Sequence, residues 1–140
     1  MNDKPGLLVL CTGNSARSQM AASFFRHYAG DRFHVLSADT EPAERVHPLT
    51  VEVMREKGVD LSTTEPVDYR DIEDGAVQIL VIVCDGASKS CPAAFLGDDT
   101  ERLLWPFDDP AALEGSTEEK LTGFRRIRDE IEPKIRDWAA

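Results

Sequence analysis

A short apolar run, Leu7-Leu8-Val9-Leu10-Cys11, gives way at once to Thr12-Gly13-Asn14-Ser15-Ala16-Arg17-Ser18. Such a run is too short for a stable helix and long enough for a strand buried on both faces, as in parallel sheets. Pro5-Gly6 bounds it on one side and a polar turn on the other. From Ala16 to Tyr28 the pattern becomes helical. Met20, Phe24 and His27 share a face with Ala21 and Phe25 beside them, and Gly30 is the expected stop. A strand, a tight loop and a helix in that order restrict the chain to a few folds.

The alternation continues. Phe33 to Ala38 reads as a second strand. Pro48 to Lys57 reads as a helix that starts on proline after His47, buries Leu49, Val53 and Met54, and ends at Gly58. Ile79 to Cys84, rich in β-branched residues, is the strongest strand, and Leu103-Leu104-Trp105 a shorter one. A last helix runs from about Thr117 to Trp138. Ser116-Thr117-Glu118-Glu119 is its capping start, and Leu121, Phe124, Ile127, Ile131 and Ile135 recur at helical spacing. Pro133 is expected to kink that helix or end its regular part. The expectation is one α/β domain over residues 1–140, an open four-stranded parallel sheet with helices on both faces.

Charge and cysteine content narrow the function. The 26 acidic residues outnumber the 16 basic ones, for a formal net charge of −10. That disfavours nucleic acid and anionic membrane as partners. An anionic substrate would need positive charge concentrated at its site. No run approaches the roughly 18 apolar residues of a membrane span, and the start lacks signal-peptide features. A cytoplasmic protein is expected. Three cysteines, Cys11, Cys84 and Cys91, are an odd number and too few for a four-cysteine zinc site, and His27, His34 and His47 show no ligand spacing. No metal centre is expected.

The loop from Cys11 to Ser18 holds the densest chemistry. Ligands in this fold class bind at the carboxyl ends of the strands. There the N–H groups of Thr12, Gly13, Asn14, Ser15 and Ala16 can cradle an oxyanion, aided by the dipole of the following helix. Gly13 allows a tight turn, and the Arg17 fork matches two oxygens of a tetrahedral anion. The same field lowers the pKa of a cysteine, and Ser18 can donate a hydrogen bond to its sulfur, so Cys11 is the candidate nucleophile. An ordinary strand–helix turn over a buried thiol is the plainer alternative. Phe107-Asp108-Asp109-Pro110, after the fourth strand, belongs at the same end, where a carboxylic acid can protonate a leaving oxygen. The competing reading is a turn or helix cap of two aspartates.

The stretch Cys11 to Ser18 resembles the C-x5-R-S phosphate loop of the low-molecular-weight protein tyrosine phosphatases, of flavodoxin-like architecture. Residues 11–21, Cys-Thr-Gly-Asn-Ser-Ala-Arg-Ser-Gln-Met-Ala, are most similar to the arsenate reductases built on that fold. Ser37-Ala38, His47-Pro48, Gly58-Val59-Asp60-Leu61-Ser62, the Cys84/Cys91 pair, Trp105 to Pro110 and Phe124 to Ile131 extend the resemblance over nearly the whole chain.

The resemblance implies a general acid immediately before Pro110, hence Asp109, with Asp108 as the spare. It implies a thiol relay: Cys11 attacks arsenate, Cys84 attacks Cys11 and releases arsenite, and Cys91 attacks Cys84. It implies thioredoxin as reductant, related enzymes using glutathione and glutaredoxin or mycothiol, and phosphate or sulfate as mimics of arsenate. A helical 84–91 segment would hold its cysteine Cα atoms ~10 Å apart. A disulfide needs roughly 4.4–6.8 Å, so that segment must be or become a loop.

There are departures. Ala22 replaces a glutamate that helps some relatives bind potassium, which leaves Asn14 and Ser37 for a weak ion; no tightly bound cofactor is implied. Ala38-Asp39 replaces the usual Ala-Gly, and Tyr69 stands without the paired acid-loop tyrosines of the phosphatases. A phosphatase would use Cys11, Arg17 and Asp109 alike, so Cys84 and Cys91 discriminate; a non-catalytic oxyanion or redox sensor would show no turnover.

Overall fold

The computed structural model describes residues 4–11, 16–39, 46–65, 67–72, 77–83, 101–105, 107 and 114–140, with backbone only at Cys11 and Tyr69. Thr12, Gly13, Asn14, Ser15, Cys84, Cys91, Asp108 and Asp109 lie outside the described residues.

Four strands, β1 (Gly6–Cys11), β2 (His34–Asp39), β3 (Ile79–Ile82) and β4 (Glu101–Leu104), form one parallel sheet in the order β2-β1-β3-β4. The apolar run leads to the centre because it has no polar side to show water. Leu7, Leu8, Val9 and Leu10 are all fully buried, so both faces of β1 are covered. Register sets Leu8 between Leu36 and Leu80. Among the described residues β4 pairs with β3 alone; it exposes Glu101, Arg102 and Leu104, and begins two residues before the apolar reading of that segment. Its first residues are charged, so hydrophobicity could not mark where pairing begins.

The helices are α1 (Arg17–Ala29), α2 (Pro48–Arg55) and α3 (Thr117–Ala139), with one 3-10 turn at Tyr69–Asp71. α1 is buried all round from Arg17 to Phe25, beyond the one-sided stripe its spacing suggests. Ala21, Ala22 and Ser23 are small enough to allow close packing there. His27, assigned to the Met20–Phe24 face by spacing, is exposed and meets Tyr28 edge-on at 4.7 Å. Gly30 stays right-handed (φ −65°), so it is no left-handed cap. A β-carbon there would collide with the Arg26 carbonyl, and that explains the glycine.

α2 starts on Pro48, with the His47 Nδ1 accepting the Leu49 N–H at 3.1 Å. It ends in a Schellman motif: Gly58 takes φ +79°, its N–H reaches Arg55 O at 2.9 Å, and the Val59 N–H reaches Met54 O at 3.0 Å. α3 opens with a capping box between Ser116 and Glu119 and buries Phe124, Ile127, Ile131 and Ile135. It continues as helix through Pro133, contrary to one outcome expected of that proline. Asp129, four residues earlier, is exposed, so water can serve the carbonyl that Pro133 leaves without a helical donor.

Two clusters join these helices. Phe25 stacks on Trp105 (5.9 Å) and meets Trp138 edge-on (5.5 Å), tying α1 and α3 to the end of β4. Arg128, 7% exposed, donates to the Val53 carbonyl at 2.9 Å and to Glu56 at 2.7 Å, capping the end of α2 from α3. Arg125 holds the same Glu56 with Nε at 3.1 Å and Nη2 at 2.8 Å. These two guanidinium groups lower the Glu56 pKa from 4.5 to about 2. Because the folded pKa lies below the unfolded one, this contribution is complete above 4.5 and is lost as pH falls through 2. Glu56→Gln is therefore expected to lower the melting temperature at pH 7 and to converge with wild type near pH 2. Melting curves across that range test this, and a constant offset at every pH would contradict it.

Candidate active site at the carboxyl ends of the strands

A strand buried on both faces can offer polar chemistry only at its end. β1 ends at Cys11, and register pairs Cys11 with Asp39 at the end of β2. Ladder bonds continue past the named strands. The Val83 N–H reaches Leu10 O at 3.2 Å, Trp105 N–H reaches Ile82 O at 2.8 Å, and Phe107 N–H reaches Val83 O at 3.1 Å. Cys11, Val83 and Phe107 thus mark neighbouring exits from the sheet. Cys84 follows Val83 directly, and Asp108-Asp109 follow Phe107. The relation expected between these segments holds as far as the described residues reach.

α1 begins beside these exits. Its N-cap is Ala16, fully buried, whose methyl cannot accept a backbone N–H, and its first turn carries no acidic residue. The positive end of the helix is therefore not offset by its own side chains. Arg17 is 7% exposed and donates from Nη1 to the Phe107 carbonyl at 2.8 Å. This bond joins the start of α1 to the segment after β4 across 90 residues of sequence. It holds one edge of the guanidinium, a planar fork suited to bidentate recognition of an oxyanion.

Ser18 is fully buried, and its hydroxyl donates to Asp39 Oδ1 at 3.2 Å. The Cys11 side chain, toward which sequence reasoning directs this hydroxyl, lies outside the described part of the structure. Asp39 is 1% exposed, and its own N–H reaches Val67 O at 2.8 Å. An isolated bridge pairs it with Asp68. Arg70 grips Asp68 with Nε at 3.0 Å and Nη2 at 2.6 Å and lowers its pKa to about 2. Asp39 entered the sequence reading only as an unusual turn residue. The available signal was an acid closing the apolar strand that pairs with the cysteine strand.

Ser37, one half of the pair considered for potassium, is buried on β2 opposite Val9; Asn14 lies outside the described residues. Among the described residues no three His, Cys, Asp or Glu side chains cluster as a metal site, and no helix is long and apolar enough to cross a membrane. A cavity of about 380 Å³ lined by Lys4, Arg26, Phe33 and His34 lies at the opposite, amino ends of β1 and β2. It contains none of the candidate catalytic or oxyanion-binding residues.

Residues 6–140 match the family model described as low molecular weight phosphotyrosine protein phosphatase. The chain is 42% identical over 139 residues to an arsenate reductase of Halalkalibacterium halodurans, an alignment covering 98% of this chain and 96% of that protein. Its fold is similar to the crystal structure of an arsenate reductase from Archaeoglobus fulgidus, with TM-score 0.75, 27% identity and coverage of 95% and 98%. It is also similar to a thioredoxin-dependent arsenate reductase from Corynebacterium glutamicum, with TM-score 0.70, 27% identity and coverage of 97% of this chain and 60% of the other.

The Arg17–Phe107 bond yields a structural test. A hydrogen bond from a charged donor contributes about 1.5–3 kcal/mol. Arg17→Ala is expected to lower stability by that order and to raise amide exchange in the peptide following Trp105. Unchanged exchange would mean that the ladder bond from Phe107 to Val83 holds the segment alone.

Proposed function

We propose that this chain, which belongs to the low molecular weight phosphotyrosine protein phosphatase family, reduces arsenate to arsenite through its three cysteines. The observation that carries the reading is the bond from Arg17 to the Phe107 carbonyl, at the carboxyl ends of β1 and β4. It links the anion-binding arginine to the segment that bears the candidate acid, beside the strand that leads to the second cysteine. The similarity to arsenate reductases over nearly the full chain supports arsenate as the substrate.

Arsenate sits in the cradle of Thr12, Gly13, Asn14, Ser15 and Ala16 with Arg17 forking two of its oxygens. The Cys11 thiolate attacks arsenic(V), an S–As bond forms, and one oxygen leaves as water with a proton from Asp109. Cys84 then attacks the Cys11 sulfur. The S–S bond forms, the S–As bond breaks, and its electron pair reduces arsenic to arsenite. Cys91 attacks Cys84, expelling the Cys11 thiolate and leaving a Cys84–Cys91 disulfide for an external dithiol. Thioredoxin is the proposed dithiol, supported by the thioredoxin-dependent neighbour. The fixed charges at the site answer the overall charge of −10, which repels anions from the rest of the surface.

The deciding assay is arsenate-dependent NADPH oxidation with thioredoxin and its reductase, run beside glutaredoxin and glutathione. Cys11→Ser is expected to abolish activity with either reductant. Asp109→Asn is expected to slow the first chemical step by roughly 10²–10⁴-fold in single-turnover experiments, with smaller loss of oxyanion binding. Equal rates would move the acid to Asp108 or remove it. Cys91→Ser is expected to form one equivalent of arsenite and stall as a Cys11–Cys84 disulfide, assigned by mass spectrometry of digests. Multiple turnover by Cys91→Ser would eliminate Cys91 from the relay. Hydrolysis of phosphate esters with no arsenite formed would return the chain to the phosphatase reading.

A further inference from the structure

Trp105 stands just past the end of β4, two residues before the carbonyl that accepts from Arg17. Its N–H reaches Ile82 O at 2.8 Å, and the Phe107 N–H reaches Val83 O at 3.1 Å. Among the described residues the backbone of this segment is thus tied to the β3 side, and restraint from elsewhere falls to side chains. The Trp105 ring, half-buried, supplies it. It stacks on Phe25 of α1, with centroids 5.9 Å and planes 13° apart, and meets Trp138 of α3 edge-on at 6.3 Å. Lys134 Nζ, one turn before Trp138, lies 5.1 Å from the ring centroid, within reach of a cation–π contact.

Phe25 and Arg17 belong to the same helix and lie ~12 Å apart along its axis. α1 therefore meets the segment after β4 at two separated points, through an aromatic ring at one and a guanidinium at the other. A single contact lets a segment pivot; two set its direction along the helix. We propose that Trp105 is a positioning residue for the oxyanion site. By stacking on Phe25 it sets where the Phe107 carbonyl meets Arg17. A guanidinium carries its N–H donors on one rigid plane, so a bond at one edge governs how the other edge is presented to an anion. The inference deepens the proposed mechanism and rests on Arg17 binding the oxyanion there.

The test uses the reduced full chain with inorganic phosphate as probe. Calorimetric titration gives the phosphate affinity, and the Arg17 guanidinium N–H signals in nitrogen-15 spectra report its immobilisation without ligand. Trp105→Leu is expected to broaden the Arg17 signals and to weaken phosphate about tenfold, the loss that about 1.4 kcal/mol of binding energy represents. Trp105→Phe, which keeps a ring against Phe25, is expected to restore most of both. Ile127→Ala trims the core outside the aromatic cluster and is expected to lower the melting temperature while leaving phosphate affinity unchanged. Unchanged affinity in a folded Trp105→Leu chain overturns the proposal. So does an equal loss in Ile127→Ala, which would make the effect one of general destabilisation. If Trp105→Leu fails to fold, Phe25→Leu decides the matter, since it removes the other ring of the stack and is expected to weaken phosphate likewise. A wild-type chain that binds no phosphate overturns the oxyanion reading of Arg17. The ligand-free Arg17 signals then decide the positioning role alone, and signals unchanged by Trp105→Leu overturn it.

Discussion

The architecture depends on burial of both faces of β1. Leu7 to Leu10 are wholly excluded from water, so the sheet must extend to either side and helices must cover it. Polar function can then sit only where the strands end. The carboxyl ends collect Cys11, Asp39, Val83 and Phe107, and the start of α1 delivers Arg17 and Ser18 to the same place. The site is thus a consequence of hydrophobic burial elsewhere.

Burial also sets the strength of the electrostatics. The first nine residues of α1 are buried, Arg17 and Ser18 among them. In that setting screening by water and salt is weak, and a guanidinium, a helix end and a carboxylate act on one another strongly. An acidic protein can keep an anion site under these conditions because near charges dominate distant ones. The Arg128–Glu56–Arg125 group plays the corresponding structural part, fixing α2 to α3 away from the chemistry.

Much of this was legible in the chain. Strand and helix order, the Pro48 start, the Gly58 stop and the Ser116 capping start all follow from local rules and all appear. What escaped local reading was tertiary. The all-round burial of α1 depends on both sheet and α3, and the exposure of His27 reflects which part of a regular face finds a partner. Pro133 stays in helix because α3 is held on either side by Ile131 and Ile135, a packing gain that spacing alone cannot weigh against a missing hydrogen bond. At the site, the arginine and the order of the segments could be read from motif and fold class. The Ser18–Asp39 pair joins the start of α1 to the end of β2 and becomes visible only once the helix is packed on the sheet.

Strand spacing bears on the proposed relay in two different ways. A disulfide needs Cα atoms roughly 4.4–6.8 Å apart, and neighbouring strands run about 4.8 Å apart. Leu10 and Ile82 are register partners on β1 and β3, and Cys11 and Cys84 follow them within two residues. The first exchange in the proposed relay thus joins segments that leave neighbouring strands. The second exchange joins Cys84 to Cys91, seven positions apart within one stretch of chain. Closing it falls to the backbone of that stretch, whose residues Gly86, Ala87 and Ser88 are small. In the proposed relay, the step that reduces arsenic therefore starts from neighbouring strand ends, and the step that frees Cys11 depends on the chain between Cys84 and Cys91.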